Sequence, residues 1–190
     1  RGHHAAMPYT ELPDFMKRLR AIPGVAARAL EFTILTGARS GETRGAPISE
    51  IDLEKRVWTV PKERMKEPRE HRVPLVNRAV EIVKEMRREA INDLVFPGKK
   101  LKRPLSDATM ATVLDELGAS AYTVHGFRSC LSTWAAEETL HQREVVEAAL
   151  AHAVGDAVER AYRRGDALAK RRKLMDDWAT FLGGKNGATA

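Results

Sequence analysis

Cysteine is nearly missing from this chain, long apolar runs are missing altogether, and each scarcity removes a class of answers. Cys130 is the single cysteine in 190 residues, so no intramolecular disulfide can staple the fold, and a reducing compartment suits the protein. By itself Cys130 reads as a small apolar side chain on a helix face. No stretch approaches the ~20 apolar residues of a membrane span, and none resembles a signal peptide, so the expectation is a soluble, cytoplasmic protein with no membrane partner. The chain has no D-x-D, H-E-x-x-H or C-x-x-C, and His3 and His4 have no further ligand at a usual spacing, so no metal site is expected. Without a G-x-x-x-x-G-K-[ST] loop, ATP is not expected either, and the cofactor expectation is none.

What is present is basic charge. Lys plus Arg number 32 against 26 Asp plus Glu, giving +6, a balance that favours a polyanionic partner without proving one. At 43% hydrophobic the chain has material for one real core. It begins RGHH rather than with methionine, as a tag remnant or a cut from a longer protein would, so residues 1–7 are expected to be tag or linker. A catalytic domain is expected over 8–182 and a flexible tail over 183–190.

Along the chain, Leu12, Phe15, Met16 and Leu19 mark one helical face, with Thr10 as a possible N-cap and Pro23-Gly24 as the stop. VAARALEFTILTG is apolar nearly all round, which predicts a central core helix ended by Gly37. Residues 47–75 carry the short β-type runs IDL, RVWTV and HRVPL, which predict a small antiparallel sheet with a long basic turn, PKERMKEPRE. Helical spacing returns with Ala79, Ile82, Val83, Met86 and Ala90. Ser106 then caps a helix to about Gly118, and REVVEAALAH buries Val145, Val146, Ala149 and Leu150. Asp156 and Glu159 read as the capping pair of a short helix, AVERAYRR, before a final helix near 167–182. The fold class is therefore mainly α with a small antiparallel β-sheet, α+β, with no internal repeat.

HGFRS raises a chemical question. It opens a helix with His125 and Arg128, two basic groups one turn apart, where the helix dipole prefers acids. A phosphate at that helix start, accepting from both side chains and from free N–H groups, would reverse the preference. Taken singly, Arg39, Lys66, His125, Arg128, His152 and Tyr162 are each more simply read as structural or solvated side chains.

Their order changes that reading. TGARSGE, MKEPREHRVPL, HGFR, LAH and then AYRR, its tyrosine ten residues beyond His152, resemble the catalytic domain of the tyrosine recombinases, or phage integrases, from about Pro8 to Trp178. PYTELPDF, DLEKRVWTVPKERMK and REHRVPL look most like the integrases of bacterial genomic islands and satellite prophages. The resemblance implies a DNA breaking-rejoining fold in which Arg39 and Arg128 hold the scissile phosphate. It makes Lys66 the proton donor to the leaving 5′ oxygen, His125 a proton-transfer group, His152 a phosphate contact, and Tyr162 the nucleophile of a 3′-phosphotyrosyl link. Glu42 would orient Arg39, and Lys62 stays open as an alternative to Lys66. GAPISEID departs from the pattern, with Pro47 and Ile48 where relatives often carry an aromatic.

The implied function is site-specific integration or excision of a mobile element in a bacterial cell, without metal. Double-stranded DNA is the expected partner, with a dimer or tetramer assembled on it and accessory DNA-bending and directionality proteins. Two alternatives stand beside it: a type IB topoisomerase-like relaxing enzyme, and a DNA-binding regulatory module that has lost catalysis. The resemblance also leaves open whether the final helix packs on its own chain or on a neighbouring protomer, and favours the neighbour.

Overall fold

Pro13 opens the first helix and Pro23 stops it, in a computed structural model that describes residues 5–88, 90–98, 103–106, 108–152 and 165–184. Helix α1, Leu12–Ala21, buries the predicted face of Leu12, Phe15, Met16 and Leu19. Thr10 does not cap it; a 3-10 turn, Tyr9–Glu11, leads in instead, and Pro13 supplies the fixed φ suited to a first helical turn. Ile22, preceding Pro23, is driven into extended backbone and ends the helix. The carbonyls left over there are met by Arg28, which donates to Leu19, Arg20 and Ile22.

Helix α2, Val25–Thr36, is buried from Ala27 to Thr36 and touches much of the remaining fold, as its all-round apolarity predicts. Its two threonines satisfy their hydroxyls on carbonyls one turn back, Thr33 on Ala29 and Thr36 on Phe32, each at 2.7 Å. The fully buried Glu31 is ringed by Arg20, Arg28 and Arg78 at 2.8–2.9 Å. Burial opposes its ionisation, but Arg78 and Arg20 outweigh that and hold the carboxyl below its usual range. Gly37 ends α2 at φ 64°, a left-handed conformation that glycine adopts without penalty.

Helix α3, Ser40–Arg44, leads through Pro47 and Ile48 into the sheet. Pro47 bridges to Leu94, and the Ile48 N–H donates to Asp93, so backbone pairing rather than an aromatic anchors this departure from the family pattern. Strands β1, Ile51–Asp52, β2, Val57–Val60, and β3, His71–Pro74, lie in sequential antiparallel order, with Trp58 opposite Val73 and Val60 opposite His71. Trp58 stacks obliquely on Phe32, and Phe32 on Phe96, tying sheet to α2.

Helix α4 is described over Asn77–Arg88, and Ala90, expected on its buried stripe, is exposed. Helix α5, Thr109–Glu116, begins after Ser106, whose hydroxyl meets that of Thr109 at 2.7 Å rather than capping the helix. Helices α6, Gly126–Glu138, and α7, Arg143–Ala149, follow, and α8, Leu168–Leu182, closes the described chain. No helix among the described residues is long and apolar enough to cross a membrane.

Helix α8 packs on its own chain, against the leaning toward a neighbouring protomer. Its apolar stripe finds cover here: Leu174, Trp178 and Leu182 are fully buried, and the Trp178 indole donates to the Ile34 carbonyl at 2.9 Å and lies against Trp134. Its start is clasped to β3, where Asp166 accepts from Arg72 at 2.7 Å and from Arg171 at 2.9 Å while Arg171 also donates to the Arg72 carbonyl. The chain is packed ahead of Pro8 as well. Met7 is buried, and the Ala5 carbonyl accepts from the Thr123 N–H.

Candidate active site

The left-handed turn at Gly37 aims the chain out of the core, and Arg39 follows in extended backbone as the N-cap of α3. Glu42, buried three residues on, bonds Arg39 twice: one carboxylate oxygen accepts from the Arg39 N–H at 3.0 Å and the other from Nη1 at 2.8 Å. Backbone and guanidinium are thus held by one carboxylate. The Arg39 side chain keeps 21% of its surface exposed, so the fork is oriented but not enclosed.

Arg128, on the first turn of α6, is buried. Its Nη1 donates to the Gly37 carbonyl and its Nη2 to the Leu150 carbonyl, so one guanidinium bridges the C-terminal ends of α2 and α7, where helix dipoles favour a cation. Nη2 also lies 3.1 Å from His152 Nε2. Because arginine only donates, Nε2 must accept, which leaves the proton on Nδ1; that nitrogen sits 2.7 Å from the Glu147 carboxylate. The chain reaches this geometry through Ala151 at φ 50°. Arg128 Nε has no hydrogen-bond partner among the described residues.

Burial first, and the like charge of Arg39 second, pull the Arg128 guanidinium down to about 10. It stays protonated at neutral pH, so two cations share a partly dry pocket. An oxyanion between them would relieve that repulsion and accept from both.

The start of α6 differs from the expectation. Two of its leading N–H groups are already used: Gly126 donates to Thr123, and Arg128 to the His125 carbonyl. The segment at residues 5–6 covers the spot, since a Cβ on Gly126 would lie 2.4 Å from the Ala5 carbonyl oxygen. An anion would therefore meet the side chains of Arg39 and Arg128 rather than the covered helix terminus. His125 is the N-cap residue of α6 and exposed.

Lys66 lies in the loop between β2 and β3, exposed, with no ion pair or hydrogen bond among the described residues; Lys62, in the 3-10 turn Lys62–Arg64 of the same loop, is exposed as well. Tyr162 lies outside the described residues, as do Asp156 and Glu159. The structure thus gathers Arg39, Glu42, Arg128 and His152, and leaves Lys66 outside that contact set.

Two further residues belong to the pocket. Glu147, which orients His152, stands five positions before it. His71 on β3 faces inward with Val73 and is held neutral, its imidazole pushed down to about 4 by burial first and by Arg171 and Arg128, with Glu42 and the Ala149 backbone opposing. Strand alternation carried the signal for His71, because a period of two sets it on the same face as the core residue Val73.

The phage integrase family profile matches residues 7–168. Prophage integrase IntZ of Escherichia coli strain K12 is 35% identical over 184 residues, 95% of this chain and 46% of that protein. Prophage integrase IntA of the same strain is 36% identical over 90% of this chain and 43% of its own length. The integrase of Enterobacteria phage P4 is 30% identical over 95% and 46%. The chain spans about half the length of these curated relatives. Among solved structures, the integrase from mycobacterium phage Brujita superposes with a TM-score of 0.69 at 21% identity, covering 93% of this chain and 59% of that one. XerH site-specific recombinase, bound to its difH substrate in a pre-cleavage complex, superposes at 0.61 and 20% identity, over 84% and 52%. The ordered motifs, the helical fold with its three-stranded sheet and the profile spanning most of the sequence lead to one conclusion: the chain belongs to the phage integrase family.

Proposed function

We propose that this chain is the catalytic part of a site-specific DNA recombinase, which cuts and rejoins duplex DNA through a covalent 3′-phosphotyrosyl intermediate. The observation that carries the reading is the pairing of Arg39, fixed by Glu42, with the buried Arg128, fixed by two helix-end carbonyls and His152. Fixed neighbouring cations suit a phosphodiester, whose non-bridging oxygens gain negative charge in the pentacoordinate transition state. Arginine suits the task because its planar fork donates in parallel and never loses its charge. The family relatives are named integrases, and the XerH neighbour is bound to its substrate.

In the proposed step the Tyr162 phenol oxygen attacks phosphorus. The P–O5′ bond breaks, and the phenol proton passes to His125. Lys66 gives a proton to O5′, leaving a 5′ hydroxyl and a 3′-phosphotyrosine. A free phenol with a pKa near 10 is a weak nucleophile at neutral pH, and the departing alkoxide is a much stronger base, so both proton transfers matter. Rejoining reverses the step with a DNA hydroxyl as nucleophile. Self-association on DNA and accessory DNA-bending or directionality proteins belong to the same proposal, as does freedom from metal.

The test is to mix the full-length protein with a pool of nicked duplexes of randomised sequence and resolve covalent adducts on a denaturing gel. A DNA-linked band that disappears in Tyr162→Phe and persists in excess chelator is the expected result. An equal band in Tyr162→Phe would remove Tyr162 from the reaction. No band from wild type, with DNA still retained on a filter, would favour the regulatory-module alternative. The trapped sequences supply a defined duplex substrate.

A further inference from the structure

Arg64 closes the 3-10 turn Lys62–Arg64 in the loop joining β2 to β3, two residues before Lys66. Its Nε lies 2.8 Å from Glu50 Oε1, and its Nη2 donates to Glu50 Oε2 at 3.1 Å and to the Glu42 backbone carbonyl at 2.9 Å. Glu50 also accepts from the indole of the fully buried Trp58 on β2. On the other side, Gly45 leaves the guanidinium room: a Cβ there would stand 2.6 Å from Arg64 Nη1. Gly45 has φ −91°, outside the left-handed region, so space rather than backbone conformation calls for glycine. The loop is therefore pinned to the residue that orients Arg39, while Lys66 itself is exposed and has no bonded partner among the described residues.

We propose that Arg64, seated over Gly45, is a positioning residue for proton delivery: it fixes the root of the β2–β3 loop on α3 so that the Lys66 amine swings from a set distance to O5′. The inference rests on the reading of Lys66 as general acid. A mobile donor needs a fixed pivot, because a misplacement of about 1 Å at a reacting group can lower a rate on the order of a hundredfold. The three polar contacts and the steric slot supply that pivot without Arg64 touching the substrate.

The experiment uses full-length protein and the trapped duplex in two forms, one ordinary and one with sulfur in place of the bridging O5′. A thiolate leaves without a proton, since a thiol has a pKa of about 8.5 where an alcohol is far higher. Arg64→Gln and Gly45→Ala are expected to slow single-turnover cleavage of the oxygen substrate by roughly 10- to 100-fold and to approach wild type on the sulfur substrate. Gly45→Ala keeps every charge in place and so serves if Arg64→Gln does not fold. Equal slowing on both substrates would overturn the proposal, as would wild-type cleavage of the oxygen substrate by both variants. Lys66→Ala separates the two layers. If Lys66→Ala is not rescued by sulfur, the general-acid reading fails; if it is rescued while Arg64→Gln and Gly45→Ala are not, only the positioning role fails.

Discussion

His71 and Ala151 carry the clearest single-residue consequences. The folded state holds the His71 imidazole at about 4, below the ordinary 6.5, so the unfolded chain takes up its proton first as pH falls. Stability from this residue is complete above pH 6.5 and drains away between 6.5 and 4. In urea unfolding, wild type is expected to lose about 2 kcal/mol more than His71→Asn between pH 7 and pH 5; parallel curves would show that the imidazole is not held neutral. Ala151 sits at φ 50°, a region that costs a residue with a Cβ about 1 kcal/mol. Ala151→Gly should therefore raise the unfolding free energy measured in urea by up to about 1 kcal/mol, and Ala151→Val should lower it by more. That bend also explains why Glu147 was not legible in the sequence. A pair five apart falls outside the i+3 and i+4 neighbours of a helix, and only the left-handed turn brings His152 back onto it. Arg39 and Glu42, by contrast, sit at a helical spacing that a reader can follow.

Among the elements, α8 decides how independent the domain is. Trp178 fills the space between α2 and α6 and bonds the Ile34 carbonyl, so Trp178→Ala leaves both a cavity and an unmet acceptor. A loss of about 3–5 kcal/mol in denaturant unfolding is expected, independent of protein concentration because the contact lies within one chain. A midpoint that climbs with concentration would point to exchange of α8 between copies. The long, strongly patterned elements α1, α2, α4 and the sheet were readable because their apolar spacing decides their burial. The helix starts were not. Thr10 and Ser106 are good caps by residue type, but a 3-10 turn before α1 and a hydroxyl pair before α5 took the termini elsewhere. The start of α6 misled most, since a charge pattern shows where cations lie along the chain and not which N–H groups Thr123 has already taken.

For the whole molecule, a net charge of +6 meets a pocket holding two cations that repel one another. An anion that binds only the folded state stabilises it by mass action, about 1.4 kcal/mol at ten times its dissociation constant. Sulfate should therefore raise the melting temperature by a few degrees over chloride at matched ionic strength, by about 2–4 °C for a chain of this size. Sulfate also strengthens burial generally, so the diagnostic quantity is the part of the shift that Arg39→Gln removes. If Arg39→Gln leaves the shift whole, the two guanidinium groups do not share an anion.

The bridging of two helix ends by Arg128 has a consequence for how such a domain would decay. Arg39 leans outward on a neighbouring carboxylate, whereas Arg128 doubles as a rivet between Gly37 and Leu150. A descendant no longer held to the proposed chemistry should shed the first arginine long before the second, so a silent copy would be recognised by what it lacks at position 39 while still carrying its fellow at 128.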